Sequence, residues 1–318
     1  MNKIYVLFIL ALATLGLSSC NSNDDATDSS TLEGTGITIS DDVDCCSAEE
    51  ALQVYKFLQT VKIIPELSTV VNNKYNLFAY SKTGKFHTGY NDIYFVATKK
   101  VSGNYVKDFD VTNITPLMYM QKMNMHHSTP ISDSIASFNS SYRAVKHGWI
   151  SFLMNSTAQN TWSLSYDARV LSSKGGIDSI PFNVDSLSSG QSWLKSFKVN
   201  GDTYFISLVN PSDWKTGTNT IKAYISKKSS PITTPYPIAA ETFTIEFTPT
   251  MPDMGNHTSP DNVALTKQTD NSYQGTVNLT MTGLWRIHLT VKDANGNIVA
   301  GGDSLSDGYS SLYFDVTL

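Results

Sequence analysis

Methionine and histidine side chains concentrate in two short stretches of this 318-residue chain. The two stretches contain Met118, Met120, Met123, Met125, His126 and His127, and then Met251, Met254 and His257. Each includes the pattern Met-x-x-Met-x-x-His, a spacing at which a loop can fold several donors onto one ion. Thioether sulfur and imidazole nitrogen form a soft ligand set, which favours Cu(I) or Ag(I) over Zn, Mg or Ca. These nine residues are therefore the candidate metal ligands, and Cu(I) is the candidate ion.

A different interpretation is that one methionine of each stretch packs inward while the others form an adaptable contact surface. The register between the stretches is also open. The Met-x-x-Met-x-x-His pattern pairs Met120 with Met251, whereas an alignment on Thr-Pro pairs Met118 with Met251. Because the first stretch has more donors, it is expected to bind at least as much Cu(I) as the second. Met154 and Met281 lie in apolar runs and are expected in the core.

Four sequence matches recur in the same order along the chain and indicate an internal duplication. They pair Phe86–Ile93 with Trp214–Ile221, Thr115–Met118 with Thr248–Met251, Gly148–Met154 with Gly275–Met281, and Trp162–Leu164 with Trp285–Ile287. The first pair shares Thr-Gly-x-Asn-x-Ile, which predicts a turn entering a strand with glycine at positive φ. Trp162 and Trp285 are expected to fill two cores. The duplication predicts homologous β-domains over residues 73–171 and 196–318, joined by a Ser/Gly-rich connector over 172–195.

The elements that position these residues are predicted to be strands. Charged residues make up only 16% of the chain and aromatic residues 11%, a mix typical of half-buried strands. Short alternating runs are separated by Gly, Asn, Pro and Ser, as in β-sandwiches. One helix is expected over residues 47–61, because Ser47 and Glu50 form a capping box and Pro65 follows. Residues 47–72 are assigned to this helix and its connector.

The second copy resembles the YtkA-like family. The residues that carry the resemblance are Thr248-Pro-Thr-Met-Pro-Asp-Met-Gly-Asn-His257, Tyr273-Gln-Gly, Met281-Thr-Gly-Leu-Trp285 and Ile287-His-Leu. The resemblance covers residues 219–292 and extends more weakly to the first copy, which lacks the Met-Pro-x-Met form. It implies an immunoglobulin-like sandwich in a bacterial cell-envelope protein that accompanies metal-transport components. The fold class expected is thus all-β, with two tandem immunoglobulin-like β-sandwich domains and one short N-terminal helix.

The N-terminus resembles a lipoprotein signal. Lys3 precedes an apolar run, and Leu17-Ser-Ser-Cys20 resembles the lipobox, which implies cleavage after residue 19 and acylation of Cys20. The alternative is an ordinary secretory signal. Residues 20–46 are polar enough to form a flexible tether, and their acidic residues resemble the surface-export signal of Bacteroidetes lipoproteins. The expected location is the outer membrane, facing the periplasm or the cell surface. Cys45 and Cys46 are open to four states: free thiols, a vicinal disulfide, a soft metal site or a bond to another chain.

Several function classes are excluded by the sequence. A net charge of -5 argues against nucleic-acid binding. Gly302-Asp-Ser-Leu305 spells the signature of the GDSL hydrolases, but no histidine follows it to act as the base. No other hydrolase, phosphate-loop or dinucleotide motif occurs, so a non-enzymatic protein is predicted. Two alternatives to copper binding remain. One is a structural or partner-binding accessory subunit of an outer-membrane or surface complex, and the other is a surface glycan-binding module with exposed aromatic residues.

Overall fold

The computed structural model describes residues 30–32, 37–39, 47–139, 142–188 and 190–318. The predicted signal peptide, the acylation site Cys20 and the pair Cys45 and Cys46 lie outside these residues. Most of the predicted tether does too.

Within the described residues, the first half contains helix α1 (Ser47–Leu58) and fifteen strands. The strands are β1 (Ser30–Leu32), β2 (Ile37–Ile39), β3 (Lys62–Ile63), β4 (Thr69–Val71), β5 (Tyr75–Ser81), β6 (Phe86–His87), β7 (Gly89–Lys99), β8 (Tyr105–Val106), β9 (Phe109–Met120), β10 (Met125–His127), β11 (Ala136–Asn139), β12 (Tyr142–Phe152), β13 (Asn160–Val170), β14 (Ser173–Phe182) and β15 (Val184–Asp185). Short 3₁₀ turns cover Pro65–Leu67 and Gln121–Met123.

The second half contains ten strands and two 3₁₀ turns. The strands are β16 (Leu194–Val199), β17 (Asp202–Leu208), β18 (Gly217–Lys227), β19 (Thr244–Met251), β20 (His257–Thr258), β21 (Val263–Lys267), β22 (Tyr273–Leu279), β23 (Leu284–Lys292), β24 (Ile298–Ala300) and β25 (Tyr313–Thr317). The turns cover Pro211–Asp213 and Pro252–Met254. The predicted all-β class with one α-helix is confirmed within the described residues.

Two sheets pack face to face in the first half. One runs in the order β11-β12-β7-β5-β3, with β4 and β8 attached, and the other in the order β10-β9-β13-β14. Alternate residues of each strand point inward, so Phe95 of β7 meets Tyr166 of β13 in a shared core. Trp162, predicted to be a core residue, is fully buried there.

The second half forms one continuous ten-stranded sheet. Its main order is β16-β17-β18-β22-β21-β19-β23-β24, with β20 on β19 and β25 on β23. Strand β21 makes the sheet continuous because it pairs with both β22 and β19. The sheet curls around its own core, which contains the fully buried Trp285. In the first half, β11 occupies the place in the strand order that β21 has in the second half. Among the described strands, β11 pairs with β12 alone.

Two elements differ from the sequence prediction. Part of the predicted connector over 172–195 is strand β14, which pairs with β13 along the edge of the four-stranded sheet. Its Ile177, Ile180 and Phe182 pack against the first core, so this Ser/Gly-rich segment contributes to packing. Helix α1 ends at Leu58 and does not reach residue 61. The hydroxyl of Thr60 donates a hydrogen bond to Phe57 O, and strand β3 begins soon afterwards.

Helix α1 covers the outer face of the larger sheet. Val54 is fully buried against Tyr94, Val96 and Val145. A carboxylate oxygen of Glu50 accepts a hydrogen bond from the backbone N–H of Ala144 in β12. Among the residues placed by the structure, no helix has the length and apolar character needed to cross a membrane.

The two halves share a buried interface. Tyr90 and Trp149 project from the first half onto Tyr224 of the second, and the Trp149 and Tyr224 ring centroids lie 4.6 Å apart. Beside these rings the Asp92 carboxylate lies 2.7 Å from His147 Nε2 and accepts hydrogen bonds from Tyr90 at 2.7 Å and Asn210 at 3.0 Å. The carboxylate of Asp92 in the first half is therefore stabilised partly by Asn210 of the second half.

The Asp92 network makes stability depend on pH. Burial opposes the charged form, but hydrogen bonds from His147, Asn210 and Tyr90, together with the His147 charge, hold the pKa of Asp92 below its usual value. A depressed folded-state pKa contributes stability above the unfolded value of about 3.9 and loses it as pH falls through the folded value. Asp92→Asn should therefore lower the free energy of unfolding by about 2–3 kcal/mol at pH 7, since hydrogen bonds to charged groups contribute that much. Urea unfolding at pH 7 and in acid measures the difference, which should shrink below about pH 4. An equal difference at both pH values would contradict this role.

Candidate functional site

The strand register of the first half places a histidine, a methionine and a tryptophan in one row. His127 of β10 lies opposite Met118 of β9, and Met118 lies opposite Trp162 of β13. Residues directly opposite in antiparallel strands point to the same face, so these side chains are neighbours. The His127 and Trp162 ring centroids are 5.7 Å apart with nearly perpendicular planes. Met118 is fully buried between them.

The second half contains the same row. His257 of β20 lies opposite Met251 of β19, and the pairing of Thr250 with Arg286 places Met251 beside Trp285 of β23. The His257 and Trp285 ring centroids are 6.4 Å apart. Met251 is 3% exposed, whereas His257 is exposed, so the row opens to solvent at the histidine. Each row thus combines a thioether and an imidazole beneath a large aromatic ring.

The indole N–H of each tryptophan also forms a hydrogen bond with the loop that precedes its strand. Trp162 Nε1 donates to Met154 O, and Trp285 Nε1 donates to Met281 O, both at 2.9 Å. The sequence predicts Met154 and Met281 inside core strands, but each lies just after the end of its strand and is only partly buried against the core. The sequence matches paired Met154 with Met281 and Trp162 with Trp285. The strand register is needed to show that these residues adjoin the two Met/His hairpins, β9–β10 and β19–β20.

Each of the two sequence alignments matches a structural feature: one matches the strand registers, and the other matches the turns. In the sheets Met118 corresponds to Met251, because each is the methionine of its row. In the turns Met120 corresponds to Met251: each precedes a 3₁₀ turn with nearly the same backbone angles, φ -104° and ψ 96° against φ -106° and ψ 99°. The first hairpin extends two residues beyond the row, and its tip carries the extra donors.

Two of the remaining donors, Met120 and Met125, lie on the same face as the first row, two residues further along the hairpin, and the others lie elsewhere. Met120 and Met125 lie opposite each other beyond the row, while Met123 and Met254 are exposed at the turn tips. His126 faces away from the row and stacks on Tyr119 at 4.8 Å. The six donors of the first stretch are therefore divided between two faces and a tip. Their number alone does not make the first site the stronger one.

The electrostatic surroundings of the two rows differ. In the first half, burial lowers the pKa of His127, although its hydrogen bond to Ser128 O at 2.8 Å acts in the opposite direction, and the charge of Lys228 lowers the pKa further. Lys228 would also repel a bound cation. In the second half, Asp253 is exposed in the turn, and Asn256 donates to the Asp307 carboxylate at 3.3 Å. Negative charge near the second row favours a cation there.

No cluster of three or more His, Cys, Asp or Glu side chains that could bind a metal occurs among the residues that the structure places. Any metal held by the hairpins would depend on methionine sulfur and one imidazole, the combination suited to Cu(I).

Comparison with known families assigns part of the second half. Residues 198–290 match the YtkA-like family model. The chain contains a YtkA-like domain there. The matched residues run from β16 into β23 and include the whole row of His257, Met251 and Trp285. A comparison with curated proteins finds no match for this chain.

Proposed function

We propose that this is a lipid-anchored cell-envelope protein whose YtkA-like domain binds Cu(I) through Met251 and His257, without catalysing a reaction. Met254, at the exposed tip of the turn, is the donor that an incoming ion meets first. The ion then reaches Met251 from the open His257 side of the row. Such a site can hold Cu(I) or transfer it to a metal-transport component of the envelope.

The observation that carries this proposal is the recurrence of the row. Two hairpins of different length and different turn sequence both place methionine opposite histidine and beside a buried tryptophan. A core that only needed apolar filling has no requirement for an imidazole opposite that methionine. Thioether and neutral imidazole are ligands of Cu(I), and Trp285 excludes water on the inner side.

We further propose that the first half is a divergent second copy of the domain. The two Thr-Gly-x-Asn turns agree in detail: Asn91 Nδ2 donates to the carbonyls of residues 87 and 89, and Asn219 Nδ2 donates to those of 215 and 217. Gly89 and Gly217 adopt φ of 83° and 97°, the conformation predicted for this turn. The duplicated strand order and the tryptophan bonds to Met154 O and Met281 O support common ancestry.

The proposed location rests on the sequence of the N-terminus. Acylation at Cys20 would anchor the chain in the outer membrane, and residues 20–46 would act as the tether. Exposure to the periplasm or the cell surface would give the Met/His hairpins access to metal carriers. The proposal includes no nucleic-acid partner.

Copper titration tests the proposal. Metal-free protein titrated with Cu(I) in the presence of a competing chelator should bind with sub-micromolar affinity. Replacing Met251, Met254 and His257 together with alanine should abolish this binding, and replacing the exposed Met123 with alanine serves as a control that should retain it. Failure of the wild-type protein to compete with even a weak chelator would contradict the copper function.

The second candidate function is partner binding without metal. The observation that favours it is the exposure of Met123 and Met254, 61% and 53%, at the two turn tips. Flexible methionine side chains form adaptable contact surfaces. If partner binding does not depend on metal, a partner should still bind the His257→Phe variant. If docking depends on metal, the variant should not bind, because the imidazole is lost. A glycan-binding module is less supported, since all five tryptophans are buried or half-buried.

A further inference from the structure

The edge of β9 is open at the place where β21 closes the sheet of the second half. There, residues 244–245 of β19 pair with residues 265–266 of β21. The equivalent residues of β9 are Asp110 and Val111, because both stretches pair with the residues six and seven positions after the buried tryptophan of the neighbouring strand. Strand β9 pairs with β13 on one side and, on the other, with β10 over Met118–Met120 alone among the described strands. The backbone groups of Asp110 and Val111 that face away from β13 therefore have no strand partner in the described ranges.

A groove of about 380 Å³ lies along this open edge. Residues 111–114 of β9 form one side, and residues 131–135, which lead into β11, form the other. Strand β11 is the last strand of its own sheet within the described residues, so the groove separates two strand edges that could each accept a further strand. The apolar residues that line the groove and belong to the first core or pack against it are Val111, Ile114, Ile131 and Ile135.

A positive charge lies next to one end of the groove. Lys146 of β12 is directly opposite the core residue Phe95, so its side chain points to the inner face of the sheet. The ammonium lies 5.6 Å from the centroid of the Phe109 ring and donates a hydrogen bond to Ser137 Oγ at 3.0 Å. Phe109 and Ser137 each lie two residues beyond the lining of the groove, which places Lys146 at that end.

The acidic residues near the groove do not neutralise Lys146. Asp108 and Asp110 are exposed, and both pair with Arg169 on the outer face of the four-stranded sheet. Asp133 lies towards the opposite end of the groove, where its carboxylate accepts a hydrogen bond at 3.2 Å from a backbone N–H of the second half. Lys146 itself forms no ion pair with any residue that the structure describes.

We propose that this groove binds an extended segment of a partner protein, which adds to β9 as a further strand. The unpaired backbone groups of an edge strand are a template for such pairing. Alternate residues of the added strand point inward, so one apolar side chain lies beside Val111 and Ile135, and a carboxylate two residues away lies beside Lys146. Charge complementarity therefore selects a segment in which an apolar and an acidic residue are separated by one residue. This site is independent of the copper site, and either one can exist without the other.

Binding of a labelled peptide, Ser-Thr-Val-Thr-Glu-Thr-Ser, to the full chain tests the proposal by fluorescence anisotropy. It should bind saturably at millimolar concentrations or below, and the same peptide with lysine in place of glutamate should bind at least about fivefold more weakly, since opposite charges stabilise neighbouring strands and like charges oppose them. Proline in place of the central threonine removes a backbone donor and should weaken binding at least about tenfold. Equal binding of the proline peptide would exclude strand addition.

A charge reversal in the protein identifies the contact. Lys146→Glu should invert the preference, so that the lysine peptide binds more tightly than the glutamate peptide. Lys174→Glu, on the exposed edge strand β14, is the matched control and should leave the preference unchanged. A preference that is the same in Lys146→Glu and in the wild-type protein would refute the assignment of Lys146.

Amide hydrogen exchange locates the added strand. The glutamate peptide should slow the exchange of amides within residues 109–112 of β9 at least about tenfold, whereas residues 244–246 of β19, where β21 already closes the edge, should not change. No saturable binding, or unchanged exchange throughout β9, would overturn the proposal and show that the bulge at Asn113, with φ of 54°, protects this edge. Self-association of the chain that the peptide reverses would identify a second copy as the occupant and would overturn the assignment to a partner protein.

Discussion

Met251→Leu should weaken Cu(I) binding by at least about 100-fold, whereas Met118→Leu should leave the affinity of the tightest site within about threefold. Changing groups that only orient a metal ligand costs about 10- to 100-fold in affinity, so losing a direct sulfur ligand should cost at least the upper value. Leucine keeps the volume of methionine, and such exchanges in cores usually cost less than about 1.5 kcal/mol. Both methionines are buried at the centre of their rows, so the two variants are matched in structure.

The difference between the halves comes from their surroundings. Lys228 lies near His127 in the first row and opposes a cation, whereas Asp253 and Asp307 lie near the second. His257 is also exposed and His127 is only partly so, which gives an ion a more open path to the second row. The measurement is competition with a Cu(I) chelator for each variant. Loss of the tight site in Met118→Leu, with Met251→Leu unchanged, would reverse the assignment and restore the expectation based on donor number.

Gly275→Ala should destabilise the protein far more than Gly148→Ala, although the two glycines occupy matched positions. A Cβ at residue 275 would lie 2.3 Å from Val263 O and 2.8 Å from Ala264 O, which are backbone atoms of β21 and cannot rotate away. A Cβ at residue 148 would instead meet the ends of the Ile135 and Ser132 side chains. We expect losses of about 3 kcal/mol or more for Gly275→Ala and about 1–2 kcal/mol for Gly148→Ala, the range for overpacked sites.

Thermal and urea unfolding of both variants measure this difference. The reason for the larger effect is the position of β21, which joins β22 to β19 and makes the second sheet continuous. Displacing β21 would separate two parts of that sheet, whereas β11 has a single partner among the described strands. Equal stability of Gly275→Ala and the wild-type protein would show that β21 is not held closely against β22.

Local features were predictable from the sequence because short-range chemistry determines them. The Thr-Gly-x-Asn turns, the start of α1 and the burial of both tryptophans depend on residues close in sequence or on strong apolar character. Strand β14 was missed because Ser, Gly and Asp outnumber its apolar residues, and only its pairing with β13 shows its role.

The candidate site shows why the rest could not be predicted. A shift of one residue turns a strand over, but a shift of two keeps every side chain on its face. The two registers of the methionine stretches differ by two, so both satisfy the same pattern of apolar residues. Only the pairing of Met118 with Trp162, and the corresponding place of Met251, identifies the row. Lys228 lies near His127 although the two residues are distant in sequence, and no feature of the sequence indicated that they are neighbours.

X-ray absorption at the copper edge of the Cu(I)-loaded protein tests the central claim most directly. We predict that the metal of the tight site is bound by both sulfur and nitrogen, that Met251→Leu lowers the sulfur contribution, and that His257→Phe removes the nitrogen contribution. A first coordination shell of nitrogen and oxygen alone, unchanged in both variants, would contradict the assignment of Met251 and His257 as the copper ligands.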